Sequence, residues 1–181
     1  ALLAPPADLD GSGRNAIRTL AASLHERGEI QRELGRPECI ESYQESYQLA
    51  LHIDERSGAD AAAFNIGKAY TDLPAIRNLP ETQRWYQRGL DLHAEHDHLN
   101  RARSLGQLGS VAYERFREAR DAGRPEREVT DHLREAARLY GEALELTPPN
   151  AIGDLAVSHN QLGNILDDAG KLDNALRHYR E

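Results

Sequence analysis

The chain contains no methionine, and three other residue types are nearly missing: Cys39 is the single cysteine, Trp85 the single tryptophan, and Lys68 and Lys171 the only lysines. One cysteine excludes an internal disulfide and any zinc cluster of the Cys type. It also suits a reducing compartment, so a cytoplasmic location is expected. No apolar run approaches the roughly 20 residues that span a bilayer. The opening Ala1-Leu2-Leu3-Ala4-Pro5-Pro6 is too short for a signal peptide and lacks its basic flank. Positive charge is in deficit, with a formal net charge of −8, which argues against nucleic acid as the main partner. Catalytic motifs are missing as well. Gly67-Lys68 has neither the preceding glycine nor the following Ser or Thr of a nucleotide loop, and no Gly-x-Ser-x-Gly elbow occurs. Neither an enzyme nor a cofactor is expected. The first residue is not Met, and the sequence stops at Glu181 inside a helical pattern, so the chain is expected to be a fragment of a longer protein.

What the sequence does have is 20 Arg, a 39% apolar content and internal repetition. Asn65-Ile66-Gly67, Gln107-Leu108-Gly109 and Gln161-Leu162-Gly163 each place an apolar residue before a glycine in mid-helix pattern. Glycine inside a helix costs about 1 kcal/mol against alanine, so a slot that uses it three times calls for close approach of a second helix. Downstream of each glycine a small residue and a tyrosine recur on one helical face: Thr82 and Tyr86, Ala136 and Tyr140, Ala175 and Tyr179. Tyr43, Tyr47, Ala50 and Leu51 form an earlier copy.

This pattern resembles the tetratricopeptide repeat, and the resemblance covers nearly the whole chain from about residue 14. The second unit supplies Ala63, Ile66, Gly67, Tyr70, Thr82 and Tyr86; the third Leu105, Leu108, Gly109, Ala112, Ala136, Tyr140, Ala143 and Pro148; the fourth His159, Leu162, Gly163, Leu166, Ala175 and Tyr179. The first unit is degenerate, with Ile17, Leu20, Ala21 and Leu24 followed by Tyr43, Tyr47 and Ala50. The resemblance implies an all-α, right-handed α-solenoid of four antiparallel helix pairs, about eight helices. The units are expected at about 14–56, 58–97, 99–147 and 151–181, the last one truncated, after an extended or disordered segment over 1–13.

Contact residue and packing tyrosine are 16 residues apart in the fourth unit (163 to 179), 26 in the first (21 to 47), 19 in the second (67 to 86) and 31 in the third (109 to 140). The extra residues of the third unit are rich in Glu and Arg, which predicts longer helices rather than loops. The first and third pairs are therefore expected to be elongated, as bacterial-type arrays of this kind are. Gly35-Arg36-Pro37-Glu38 and Gly123-Arg124-Pro125-Glu126 read as helix-ending turns, as does Gly170-Lys171-Leu172-Asp173. Breaks between units are expected at Ser57-Gly58 and Pro148-Pro149-Asn150.

His93-Ala94-Glu95-His96-Asp97-His98 is the one run whose spacing suggests a metal, with His93, His96 and His98 as candidate ligands. It lacks the order of a zinc-peptidase helix, and a polar turn between units is the preferred reading. His159 occupies a packing slot and reads as a packing residue. Nine Arg stand against seven Asp or Glu between Arg101 and Arg138, with pairs such as Glu114–Arg117 and Asp131–Arg134 at helical spacing. That pattern predicts a salt-laced surface rather than a nucleic-acid stripe.

The resemblance implies a concave groove lined by the first helix of each pair, where a peptide or protein segment docks. The residues expected on that face are Asn65, Lys68, Arg103, Gln107, Ser110, Asn160, Gln161 and Asn164. Phe64 and the scarcity of lysine argue against the carboxylate-gripping version of the groove that holds chaperone tails. The expected function is a protein-interaction scaffold with no membrane partner. The alternative is a regulatory array within a larger bacterial signalling protein, contacting other domains of its parent or self-associating through the truncated last unit.

Overall fold

The computed structural model describes residues 9–180. Among the described residues there are eight α-helices, one short 3-10 turn and no strand. The chain divides into two compact units between Leu92 and His93. The first holds α1 (Gly11–Glu33), α2 (Cys39–His52), α3 (Arg56–Asp72), a 3-10 turn at Pro74–Ile76 and α4 (Leu79–Leu92). The second holds α5 (His98–Asp121), α6 (Glu126–Leu146), α7 (Ile152–Asp168) and α8 (Leu172–His178). None of these helices is long and apolar enough to cross a membrane.

Local chemistry explains where the helices start and stop. The Asp10 carboxylate accepts from the Gly13 amide at 2.7 Å and caps α1, and Asn78 does the same for Glu81 at the start of α4. Gly35, Gly123 and Gly170 take φ of +70°, +61° and +71°, where only glycine is unstrained. At all three the following amide reaches back to the last turn, Arg36 to Gln31, Arg124 to Ala119 and Lys171 to Leu166, at 2.8–2.9 Å. These are the turns predicted from Gly-Arg-Pro-Glu and Gly-Lys-Leu-Asp. Between α2 and α3 the same reverse bond runs from Glu55 to Ala50, but the left-handed position is filled by Asp54 at φ 56°.

In the first unit α1 packs on α2, α2 on α3 and α3 on α4. Ser46 Oγ donates to the Ala21 carbonyl, while Ser42, earlier in α2, meets Arg27 and Gln31 further along α1, so the two helices run antiparallel. One core joins Cys39, Tyr43, Tyr47 and Ala50 of α2 to Ala59, Ala62, Ala63, Ile66 and Ala69 of α3 and Trp85 of α4. The run of alanines lets α3 lie close on α2. A second cluster joins Ile17, Ala21 and Leu24 of α1 to Leu49 and Ile53. In the second unit α5 packs on α6, α6 on α7 and α7 on α8, around buried Leu105, Leu108, Phe116, Ala136, Leu139, Tyr140, Leu162 and Ile165.

Several expectations are corrected. Helix α1 begins at Gly11, inside the segment expected to be extended, and residues 1–8 of that segment lie outside the described residues. Ser57 and Gly58 do not break the chain; they form the first turn of α3, and the break falls at residues 53–55. The third pair is elongated as predicted, its helices 24 and 21 residues long against 17 and 14 for α3 and α4. In the first pair only α1 is long, 23 residues against 14 for α2.

The reason is a different register. Gly28, not Ala21, sits under the packing tyrosine, which is Tyr43 rather than Tyr47. That spacing is 15 residues, close to the fourth unit's 16, so the additional length of α1 lies ahead of the contact point.

Candidate functional site

A single packing device recurs through both units. A Cβ added to Gly28 would fall 2.6 Å from Cε1 of Tyr43, one on Gly67 2.6 Å from Cδ1 of Tyr86, one on Gly109 2.9 Å from Cδ2 of Tyr140, and one on Gly163 2.7 Å from Cδ1 of Tyr179. Each tyrosine lies flat over a glycine that has no side chain to obstruct it. The hydroxyl then needs a partner, because burial otherwise strands it. In two pairs the residue after the glycine supplies one: Tyr43 donates to Glu29 and Tyr179 to Asn164, both at 2.8 Å. In the third pair that residue is Ser110, which lies beside the Tyr140 phenol and works against the upward push of burial. In the second pair that residue is Lys68, which cannot accept. Thr71, one helical turn on, lies beside the Tyr86 phenol and works against the upward push of burial.

In the first unit α1 and α3 present a polar face. The Asn65 amide nitrogen stands 3.0 Å from His25 Nε2 and links the two helices. Arg32 binds Glu29 at 2.8 Å and approaches Asp72 at 4.0 Å. Burial pushes the Glu29 carboxyl upward, but the hydrogen bonds from Arg32 and Tyr43 and the nearby charges outweigh it, and the group is held below the usual range. Burial and the Glu29 hydrogen bond both push the Tyr43 phenol up. Most of this network is satisfied internally, but the buried Arg32 Nε has no hydrogen-bond partner among the described residues.

In the second unit α5 and α7 are tied at two levels. Arg103 grips Asp154 with two bonds, at 2.8 and 3.1 Å, and holds that carboxyl below its ordinary value. Further along, Asp168 takes the Tyr113 hydroxyl at 2.5 Å and Arg120 at 2.9 Å. Burial and the Asp168 contact push the Tyr113 phenol up to about 12. The residue numbers rise together on both helices, so α5 and α7 run parallel. Gln107 and Ser110 on α5, and Gln161 on α7, fall within about 40° of the tied residues at 100° per residue. Asn160 is turned further out and is exposed.

The eight residues expected on the binding face therefore divide evenly. Asn65, Arg103 and Asn164 are bonded to His25, Asp154 and Tyr179, and Ser110 lies beside the Tyr140 phenol. Lys68, Gln107, Asn160 and Gln161 make no such side-chain bond among the described residues, and of these Lys68, Gln107 and Gln161 are half-buried. The commitment of Asn164 follows from its place beside a contact glycine, a signal that was available in the sequence once the glycine–tyrosine pairs were assigned.

His93, His96 and His98 lie at the turn from α4 into α5, with His98 as the first residue of α5. His93 Nδ1 is 3.9 Å from Asp97, whose carboxylate accepts from Asn100 and caps α5. Among the described residues no three His, Cys, Asp or Glu side chains are grouped to hold a metal ion. His159 packs where expected, its Nδ1 3.1 Å from Nδ1 of His178, in the layer that Leu105 and Leu139 fill in the third pair. The predicted pairs Arg117–Glu114 and Arg134–Asp131 are present at 3.2 and 3.5 Å on exposed helix surface. No family model matches the chain, and no curated protein matches it.

Proposed function

We propose that the chain is a protein-interaction scaffold of the tetratricopeptide type, a right-handed solenoid of four antiparallel helix pairs that holds an extended peptide or protein segment on the face made by its first helices. The observation that carries this reading is the glycine–tyrosine contact repeated four times, at Gly28, Gly67, Gly109 and Gly163. Four copies of one packing device make a repeat array, and arrays leave a broad, pre-formed face for a ligand. The proposed contact residues are Gln107, Gln161 and Asn160, with Lys68 at the corresponding face of the first unit. Side-chain amides both donate and accept, which suits the backbone of an extended peptide. The ties from Arg103 to Asp154 and from Tyr113 and Arg120 to Asp168 hold α5 and α7 in place beforehand, so little ordering cost falls on binding. The proposed setting is cytoplasmic.

A random-peptide library selected on the chain, then counter-screened against a Gln107→Glu, Gln161→Glu variant with an unchanged melt, tests the assignment. Peptides held by the wild type and released by the variant are the expected result. Peptides that bind both equally would remove the α5–α7 face from the proposal, and a failure to enrich any peptide would count against extended segments as the ligand class.

A further inference from the structure

The two ends of the repeat series carry apolar surfaces that differ from each other and match. Counted from the contact glycine, Leu20, Ile30 and Leu34 occupy the positions that Ala59, Ala69 and Leu73 hold 39 residues later. Those three later residues are 0%, 0% and 8% exposed, because they belong to the core that α3 forms on α2. Leu20, Ile30 and Leu34 are 50%, 59% and 60% exposed. Helix α1 thus has the apolar stripe of a covering helix, with larger side chains at two of the three slots, and among the described residues that stripe is exposed.

Helix α8 shows the converse. Counted from the packing tyrosine, Leu176 and Tyr179 stand where α2 has Ile40 and Tyr43. Tyr43 lies on Gly28 with one face of its ring, joins the core with α3 and is fully buried; Ile40 packs against that same core. Tyr179 lies on Gly163 in the same way, yet it and Leu176 are exposed. Helix α8 has the surface of a covered helix, and among the described residues nothing covers it.

We propose that a second copy of the chain supplies the partner, head to tail: the Leu20–Ile30–Leu34 stripe of α1 in one copy seats on Leu176 and Tyr179 of α8 in the next, repeating between copies the α3-on-α2 packing seen within the first unit. The two surfaces are complementary rather than identical, so the contact is heterologous and each copy keeps one free end after pairing. With α8 only seven residues long the contact is small, and association is weak and driven by concentration.

Sedimentation velocity across a concentration series tests this with the 181-residue chain and two variants, Ile30→Glu with Leu34→Glu on α1, and Leu176→Glu on α8. All three positions are exposed, so helicity and melting serve as the check that each variant folds. The wild type is expected to grow in mass as concentration rises, and each variant alone is expected to stay monomeric. Mixed together, the two variants should form a 1:1 pair and stop there, because one retains only its α8 surface and the other only its α1 surface. A wild type that stays monomeric throughout would overturn the proposal and assign the two stripes to a different occupant. A single variant that still self-associates would overturn the head-to-tail arrangement, since a symmetric contact through the unaltered end would then be operating.

Discussion

Gly67 lies so close beneath Tyr86 that a Cβ there would stand 2.6 Å from the ring's Cδ1. Tyr86 is buried and cannot turn away, so Gly67→Ala forces the ring or the helices to move, at a cost of about 1–3 kcal/mol. Gly163→Ala meets Tyr179 as closely, but Tyr179 is 46% exposed and can swing outward. Denaturant melts should therefore rank Gly67→Ala well below Gly163→Ala in stability. Equal losses at the two sites would show that exposure of the tyrosine does not set the cost.

The hydroxyl contacts make a second ranking. Tyr43→Phe removes one of the two side-chain donors to Glu29, Arg32 being the other, inside a half-buried network, and should cost about 1–2 kcal/mol. Tyr179→Phe removes a bond to Asn164 at the exposed last pair and should cost less than about 0.5 kcal/mol. A double-mutant cycle of Tyr43→Phe with Glu29→Gln should give a coupling energy clearly above zero. Simple additivity would mean that the 2.8 Å contact contributes nothing.

Alkali probes the same residues. Burial pushes the phenols of Tyr86 and Tyr140 up to about 12, against about 10 for a tyrosine in an unfolded chain. Folding thus favours their neutral forms. The stability they contribute is complete below about pH 10 and is lost as pH climbs through about 12. The tyrosinate absorbance of the native protein should show these groups titrating late and in step with the loss of helicity. Full ionisation near pH 10 with the helices intact would contradict their burial.

Acid acts on the tie between α5 and α7. Asp154 is held below its ordinary value by the Arg103 hydrogen bonds and charge. Its contribution is present above the unfolded carboxyl value of about 3.9 and disappears as pH falls to the lowered one. Because both partners are partly exposed, Asp154→Asn should cost only about 0.2–1 kcal/mol at neutral pH, less at high salt, and nothing once the wild-type carboxyl is protonated. A variant that stays equally destabilised in strong acid would point to lost packing instead of lost charge.

Much of the helical layout was legible because it rests on residues with few alternatives. Gly35, Gly123 and Gly170 are needed where the chain turns left-handed, and Gly67, Gly109 and Gly163 where a tyrosine ring leaves no room for a methyl. The first pair misled because Ala21 is small and sits after Leu20 just as Gly109 sits after Leu108, although it is Gly28 that lies under Tyr43. The candidate site was half legible. Polar side chains on the first helices could be placed by spacing, but whether each is spoken for depends on residues far away in sequence. Arg103 meets Asp154 at a separation of 51 residues and Asn65 meets His25 at 40, and no local pattern announces either. The partners of the tyrosine hydroxyls were hidden for another reason: Glu29 and Asn164 share no residue type, only a lone pair one position after a glycine.

Within each unit the main packing of every helix is on its immediate neighbour or the one after that. A chain leaving the ribosome amino end first would have α1 and α2 able to clasp as soon as Tyr43 clears the exit, without waiting for distant segments. Loop closures that short add little entropic barrier, and nascent surface is covered nearly as fast as it emerges. Synthesis itself can then set the order of folding, and a halted or truncated product would still be sound up to its last complete pair.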